Sequence, residues 1–432
     1  MSQQELAALK AAAIDGRAQT IFYKHAQLQK LRETLVEKSK QIQDAIVSDS
    51  GFTLAEAKIE YSLALNTLRT RYAEIADHDK VLDQEYTIAK GKDDASRRLG
   101  TGIALIKPSS HNLFFSTVAP LVAAIAAGNV VVIQFENSTR SLPALLKSII
   151  PPALDHDSIV FTISTPQLDL PHTIVISANT ESRPANHIAS PTSTLSIALV
   201  DRNADFDAAA RALINARFSF RGRSPHAPDL VLVNEFVKKD LLQALVRAGI
   251  ASADSTPLAN GALEKRKRSY ASLRSLISDL EKNDGRVIVQ DIRSLDDAID
   301  FLTSNGQSYL TAAYFADLGS ASFLNSIPAE VLVGPAFPLG WPALPDASDR
   351  YTPDMFSTAR PAFVLAGKIQ GAELTASTGE RNKVLKIKKR SKQLAAGFRF
   401  FEQAFLTHFG FVILTTLASL GVAGYWLKTG RG

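Results

Sequence analysis

Apolar residues recur at three- and four-residue spacing through residues 1 to about 90. The clearest runs are AQLQKLRETLVEKSKQIQDAIVSD (26–49) and TLAEAKIEYSLALNTLRTRYAEIADH (53–78). This spacing is the period of an amphipathic helix, so both stretches are predicted to be helical. Thr53 is the expected N-cap of the second helix, with Glu56 three residues later completing a capping box.

Further along the chain, short apolar runs alternate with helix-like segments. Strands are predicted at 102–108, 130–133, 157–163 and 172–178, and the helix before the second of them ends at Ala127 because Gly128 and Asn129 follow. A second series has strands at 195–201, 230–233, 285–292, 311–317 and 326–337, with helices at 204–220, 235–249 and 294–305. This alternation favours parallel sheets covered by helices, in two α/β lobes.

The C-terminal part of the chain has a continuous apolar stretch. Phe409 to Leu427, FGFVILTTLASLGVAGYWL, is 19 residues without a formal charge. A helix of that length is about 28 Å long, close to the hydrocarbon thickness of a bilayer. Tyr425 and Trp426 suit the membrane interface, and a basic run precedes the stretch. We predict a single-pass C-terminal anchor with the body in the cytosol, on the endoplasmic reticulum or another organelle membrane. The alternative is a buried C-terminal core helix.

Charge is unevenly distributed along the chain. The formal net charge is +5, but basic residues outnumber acidic ones by six in residues 380–393 and by two from residue 394 onward, which leaves −3 for the residues before 380. A mildly acidic body with a basic neck argues against a nucleic-acid-binding protein and favours contact of the neck with anionic lipid. The N-terminal twenty residues lack an apolar core behind a basic end, so no secretory signal peptide is predicted.

The chain contains no cysteine. Disulfides, thiolate metal sites and a thiol nucleophile are therefore excluded, and no metal site is predicted. The absence matters in SFRGRSPHAPDLVLVNE (219–235), where a polar turn around Gly222 leads into a strand. Such a turn commonly displays a nucleophile, yet its exposed position is Pro225.

Three stretches resemble, in this order, the aldehyde dehydrogenase superfamily, most closely its fatty aldehyde dehydrogenases with a C-terminal membrane anchor. They are SSHNLFFSTVAPLVAAIAAGNVVVIQ (109–134), ALVDRNADFDAAARALINARFSFRGRSPHAPDLVLVNE (198–235) and YTPDMFSTARPAFVL (351–365). Over about residues 1–370 the resemblance implies an aldehyde dehydrogenase-like fold, with a degenerate Rossmann-type cofactor lobe and a catalytic-type lobe. The C-terminal transmembrane helix fits the same branch.

In that family a cysteine thiolate attacks the aldehyde, an asparagine and a backbone N–H hold the oxyanion, hydride passes to a nicotinamide, and a glutamate activates water. The resemblance places Asn112 at the oxyanion-donor position, although capping of the following helix is an alternative role. It places Pro225 at the cysteine position, where proline supplies neither a nucleophile nor an N–H. Ser224 and His226 flank Pro225 and are weak candidates for a substitute nucleophile and base.

The positions that resemble cofactor-binding ones are altered. Gln134 stands where the family has a lysine for the adenosine ribose, and Ala178 where it has a glycine facing the phosphates. Gly285 is what remains of the motif that grips the nicotinamide ribose. A methyl group at residue 178 hinders close backbone approach to a pyrophosphate. The family's glutamate is also missing, since no carboxylate lies between Glu181 and Asp201. No cofactor is therefore expected.

These losses favour a membrane-anchored aldehyde dehydrogenase-like protein that has lost thiol-dependent aldehyde oxidation. It would be a pseudoenzyme beside other membrane enzymes, or its pocket would take a lipophilic molecule in a non-redox step of lipid or specialised-metabolite metabolism. The alternative is an active oxidoreductase that uses NAD or NADP on a hydrophobic aldehyde by another mechanism. A third hypothesis is an anchored structural module whose neck binds anionic lipid. The resemblance also implies a homodimer.

The predicted organisation has five parts. Residues 1–194 hold the N-terminal helices and the cofactor-type lobe, and residues 195–340 the catalytic-type lobe. Residues 341–379 form a C-terminal return segment, residues 380–408 the basic neck, and residues 409–427 the transmembrane anchor.

Overall fold

The computed structural model describes residues 3–76, 98–176, 187–189, 195–222, 224, 226–252, 263–265, 287–303, 308–316, 325–333 and 351–359, and the structural statements below refer to these residues. The predictions on Pro225, Ala178, Gly285, the basic neck and the apolar stretch 409–427 lie outside them. Within the described ranges, no helix combines the length and the apolar character needed to cross a bilayer.

The secondary structure alternates as the sequence pattern predicts. Helices α1 to α9 span Gln3–Ile14, Ile21–Glu37, Ser39–Ser50, Leu54–Ala76, Leu113–Ala127, Ser141–Ala153, Phe206–Phe218, Lys238–Ser252 and Leu295–Thr303. Strands β1 to β13 span Arg98–Gly100, Ile103–Lys107, Val130–Gln134, Ile159–Thr162, His172–Ile176, His187–Ala189, Ser196–Val200, Leu230–Asn234, Leu263–Lys265, Val287–Ile292, Tyr309–Phe315, Ala329–Val333 and Ser357–Ala359.

The N-terminal helices differ from the prediction at one point. The run at 26–49 forms two helices, α2 and α3, separated at Lys38, whose φ and ψ are −91° and 12°. Apolar spacing continues across this residue, so the pattern could not reveal the break. The capping box of α4 is confirmed: the Glu56 N–H donates to Thr53 Oγ1 at 3.3 Å, and the Thr53 N–H donates to the Glu56 carboxylate at 2.8 Å.

Five parallel strands form the first sheet, in the order β4–β3–β2–β5–β6. The chain adds strands from β2 outward to β4 and then returns to the other side of β2 with β5. The direction of strand addition therefore reverses between β2 and β5. In open α/β sheets, the carboxyl ends of the strands at such a switch point are the usual place of ligand binding.

Helix α5 lies in the core of the first lobe, with every residue from Phe114 to Ala127 buried. It ends at Ala127 as predicted, because Gly128 adopts a left-handed φ of 93° and its N–H donates to the carbonyl oxygens of Ala124 and Ile125. Strand β3 begins at Val130, with only two residues between it and the end of the helix, so a short turn connects α5 to β3.

Six parallel strands form the second sheet, in the order β12–β11–β7–β8–β10–β9. Alternate residues of its central strands contribute to two separate clusters of buried side chains, one shared with α7 and α8 and the other with α9. Because both faces are covered, these strands are continuous apolar runs, as is typical of parallel sheets. The predicted α/β architecture with two parallel sheets is thus confirmed.

Several element bounds differ from the prediction. Helix α7 ends at Phe218, two residues early, because Ser219 is extended and Phe220 is left-handed. Helix α8 begins at Lys238, three residues late. The antiparallel pair of β1 with β13 was not predicted, since each strand has only three residues and its partner lies far away in the sequence.

Candidate functional site

Asn112 lies immediately before α5, in the N-cap position. Its φ and ψ are −128° and 60°, and its side chain makes no capping hydrogen bond. The capping role considered as an alternative is therefore not the one that the structure shows. The side-chain amide is half-buried at the amino end of the helix, where polar groups meet the positive end of the helix dipole.

Glu60 of α4, and not Asn112, accepts a hydrogen bond from the first turn of α5 and so caps this helix. The Phe115 N–H donates to Glu60 Oε1 at 3.2 Å, and the Glu60 side chain is buried, with the residue only 1% exposed. Burial raises the pKa of Glu60 to about 7, while the backbone N–H groups of Phe115 and Phe114 act in the opposite direction. Glu60 was not among the predicted site residues. Its place on the buried stripe with Ala57 and Ala64 was the available signal.

Ser224 and His226 are both buried, with exposures of 5% and 4%. A serine–histidine mechanism needs an imidazole nitrogen that accepts the hydroxyl proton. The hydrogen bond between these residues instead runs from the His226 backbone N–H to Ser224 Oγ, at 3.2 Å, and His226 Nδ1 lies 2.8 Å from Thr311 Oγ1. The polar groups beside the Pro225 position thus tie the loop to itself and to β11.

The same loop is anchored to the second sheet where it enters β8. Asp229 and Ser196 exchange two hydrogen bonds: the Asp229 N–H donates to the Ser196 carbonyl at 2.8 Å, and the Ser196 N–H donates to Asp229 Oδ2 at 2.9 Å. Arg217 of α7 lies 3.3 Å from Asp229 Oδ1. These contacts give the loop a structural role that does not require a nucleophile.

Three rings connect the loop to the surroundings of Asn112. The Phe220 ring is 2% exposed and meets the Phe52 ring edge to face, with centroids 5.1 Å apart. The His111 ring lies 6.4 Å from Phe220 and 6.1 Å from Phe52. The residue next to Asn112 therefore packs against the segment that leads to Ser224.

Gln134 is the last residue of β3, at the carboxyl edge of the first sheet. Its Oε1 accepts a hydrogen bond from Thr165 Oγ1 at 3.0 Å, and Lys107 Nζ donates to the same Thr165 oxygen at 3.1 Å. Lys107 ends β2, beside the switch point of the sheet. A cation thus lies one strand away from the position where the resemblance places the lost lysine.

One group of side chains within the described ranges has the chemistry of metal ligands: Asp155, His156 and Asp157. The Arg17 guanidinium lies 3.2 Å from Asp155 Oδ2 and 3.6 Å from Asp157 Oδ2. The Arg17 cation already pairs with both carboxylates, so the arrangement is an ion-pair network on the surface.

Comparison with known proteins gives the family relationship. The sequence matches the Aldehyde dehydrogenase family over residues 3–167. Aldehyde dehydrogenase family 3 member B1 of Rattus norvegicus is 28% identical over 270 residues, which are 57% of this chain and 56% of that protein. The chain is related to the aldehyde dehydrogenase superfamily. It spans little more than half the length of this rat relative, whose membership of family 3 agrees with the branch expected from the sequence.

Solved structures show that the aldehyde dehydrogenase-like fold extends over both lobes. AldH of Staphylococcus aureus, in a substrate-bound state, has a TM-score of 0.64 at 18% identity and covers 85% of this chain and 95% of its own. Glyceraldehyde-3-phosphate dehydrogenase GapN of Methanocaldococcus jannaschii, complexed with NADP, has a TM-score of 0.62 at 14% identity and covers 83% and 92%. The predicted resemblance in fold is confirmed.

Of the seven predicted site positions, the structure of this aldehyde dehydrogenase-like chain describes four: Asn112, Ser224, His226 and Gln134. Ser224 and His226 share one loop, which approaches the Asn112 region through Phe220. Gln134 belongs to a different set of contacts, at the edge of the first sheet. Glu60, Phe52 and Phe220 were not predicted as site residues, and Glu56 was predicted only as a helix cap.

Proposed function

We propose that this protein is a membrane-anchored aldehyde dehydrogenase-like protein that lacks the family's thiol-dependent aldehyde oxidation. The observation that carries the proposal is the complete absence of cysteine from the chain. Without a cysteine thiolate, the chain lacks the group that attacks the aldehyde in this family. A serine hydroxyl could replace it only with a neighbouring base to remove its proton, because a hydroxyl, unlike a thiolate, is protonated at neutral pH.

The contacts around the Pro225 position support this proposal. The Ser224 hydroxyl accepts from a backbone N–H, and the His226 imidazole is engaged with Thr311, so both serve the packing of the loop. A cleft between lobes with apolar walls and no nucleophile would be suited to hold a lipophilic molecule. We therefore propose a non-redox binding role beside other membrane enzymes.

Membrane anchoring is proposed from the sequence. Residues 409–427 are free of formal charge and follow a run with a net charge of +6 at 380–393. Apolar length and a basic flank on one side are the features that place a single-pass helix with its preceding domain in the cytosol.

A second candidate function is NAD(P)-dependent oxidation of a hydrophobic aldehyde by another mechanism. The polar contacts of Lys107, Thr165 and Gln134 at the edge of the first sheet favour it, because a cation and hydrogen-bonding groups remain at the switch point. The fold neighbour GapN is complexed with NADP.

Calorimetric titration of the full chain in detergent with NAD and with NADP at millimolar concentration separates the two functions. The proposed function predicts no saturable heat and no reduction of either nucleotide when decanal is added. Saturable binding together with decanal oxidation would overturn it, and loss of that oxidation in Ser224→Ala would then assign the nucleophile. Nucleotide binding without decanal oxidation would agree with the proposed loss of aldehyde oxidation, but it would contradict the expectation that no cofactor binds.

A further inference from the structure

Residues Ser219 to Gly222, called here the latch segment, have an unusual backbone. Phe220 and Arg221 adopt left-handed φ values of 53° and 58°, and Gly222 follows with 66°. Residues with a Cβ rarely enter this region, because the Cβ approaches the neighbouring carbonyl oxygen. Two such residues in succession persist only where surrounding contacts hold them.

The corner between α3 and α4 provides those contacts. The Phe220 N–H donates to Glu56 Oε1 at 2.6 Å, while Glu56 Oε2 accepts from Thr53 N and Thr53 Oγ1 at 2.8 and 2.9 Å. One carboxylate therefore caps α4 and holds the latch segment, through a charge-assisted hydrogen bond. The Arg221 guanidinium lies against Gly51, where an added Cβ would come within 2.5 Å of Nη1.

Packing of the Phe220 ring places the latch segment against the candidate site. The ring is buried between Phe52 and His111, and His111 directly precedes Asn112. In this conformation the aromatic ring packs against the residue that directly precedes Asn112. Movement of Phe220 away from the two rings would leave a space beside His111.

We propose that the latch segment opens and closes the space beside Asn112, with Glu56 as the group that holds it closed. The closed conformation balances a strained backbone against one charge-assisted hydrogen bond and one buried ring. Loss of either contact therefore shifts the segment to the open conformation, in which Phe220 and Arg221 return to unstrained φ values. The ligand that would enter, a lipophilic molecule, rests on the proposed function, whereas the opening itself does not.

Hydrogen exchange on the full chain in detergent, followed by mass spectrometry of peptides covering residues 218–222, tests the opening. In Glu56→Gln, exchange at Phe220 and Arg221 is expected to accelerate about tenfold, because a charge-assisted hydrogen bond is replaced by a weaker neutral one. Peptides of β8 report on global unfolding and are expected to keep their wild-type rates.

Thr53→Ala is the matched control for helix capping. It removes the Thr53 hydroxyl from the α4 cap but keeps the Thr53 N–H and the bond from Phe220 to Glu56, so exchange in the latch segment should stay at the wild-type rate. If Glu56→Gln does not fold, Phe52→Leu tests the same idea, because it loosens the ring contact without touching the carboxylate. The proposal is overturned if the latch segment exchanges at the wild-type rate in whichever of Glu56→Gln and Phe52→Leu folds, or if β8 accelerates equally.

The neutral fluorophore N-phenyl-1-naphthylamine tests the connection with ligand entry. Binding to Glu56→Gln is expected to be faster than binding to the wild type, in proportion to the exchange rate. If exchange accelerates but the fluorophore binds to neither protein, the opening of the latch segment is supported and the proposed lipophilic pocket is contradicted. If the fluorophore binds to both proteins at equal rates and exchange is unchanged, the opening is contradicted and the pocket is supported.

Discussion

Glu60 is an acid whose ionisation the fold opposes. Its carboxyl lies in the core between α4 and the amino end of α5, and burial outweighs the stabilisation that two backbone N–H groups give to the charged form. Because its pKa is raised in the folded state, folded protein binds more protons at Glu60 than unfolded protein does between pH 4.5 and about 7.

The first prediction concerns Glu60→Gln. The stability that protonated Glu60 provides is present below pH 4.5 and is lost as the pH rises through about 7. The free energy of unfolding of the wild type relative to the variant is therefore expected to fall by about 3 kcal/mol between pH 4.5 and pH 8. Urea denaturation of both proteins at several pH values measures this difference, and parallel pH profiles would contradict it.

The second prediction concerns Pro225→Cys, which introduces a thiol where the resemblance places the family's cysteine. We expect no oxidation of decanal with NAD or NADP, because no carboxylate lies between Glu181 and Asp201 to serve as the family's glutamate does, and because the proposed function includes altered cofactor positions. Nucleotide reduction followed by absorbance checks this, with thiol titration as the control that the cysteine is accessible. Turnover would show that cysteine was the one missing component.

The end of α5 shows how an element depends on one backbone conformation. Gly128 is left-handed, and a Cβ there would lie 3.0 Å from the Ala18 carbonyl oxygen and 2.7 Å from Gln19 Oε1. Gly16 is also left-handed, at a φ of 73°, but a Cβ there would have no atom within 4 Å. A substitution at Gly16 therefore adds backbone strain alone, whereas one at Gly128 adds both backbone strain and steric overlap.

The third prediction compares alanine at these two glycines. Gly16→Ala is expected to lower the free energy of unfolding by about 1–2 kcal/mol, the strain of one left-handed residue. Gly128→Ala is expected to lower it by about 3–4 kcal/mol, because overpacking against a backbone oxygen adds to the strain. Chemical denaturation measures both values, and equal losses would mean that the neighbours of Gly128 move aside freely.

Elements with strong periodicity were the most predictable. The strands β2, β3, β7 and β8 and the end of α5 follow directly from apolar runs and from the Gly128–Asn129 stop. Breaks that do not interrupt the apolar spacing were missed, such as the one at Lys38 between α2 and α3. The end of α7 was also placed too late, because the left-handed backbone of Phe220 depends on Glu56, far away in the sequence.

At the scale of the whole molecule, the two sheets together form one aldehyde dehydrogenase-like fold. Both sheets are parallel and have the strand reversals of doubly wound folds. The fold is thus formed by a chain that has no cysteine, which agrees with the general independence of fold and chemistry.

The fourth prediction concerns the proposed anchor. The full chain is expected to stay in the membrane pellet after alkaline carbonate extraction, whereas a chain that ends at residue 408 should appear in the supernatant, because about 19 apolar residues suffice to span a bilayer. Replacement of Lys386, Lys388 and Lys389 by glutamine is the control, since it weakens lipid attraction but leaves the apolar stretch intact. Extraction of the full chain by carbonate would favour the buried core helix instead.

The sequence by itself determined the alternation of helices and strands, the two-lobe class and the absence of a thiol, because these depend on local periodicity and on residue identity. The resemblance to aldehyde dehydrogenases also followed from short local motifs. Only the tertiary structure decided that Glu60 caps α5, that Glu56 holds Phe220, and that Ser224 and His226 serve the packing of their loop. Such contacts join residues far apart in the chain. They form because polar groups that folding removes from water need hydrogen-bond partners, and the sequence alone does not show which groups are buried together.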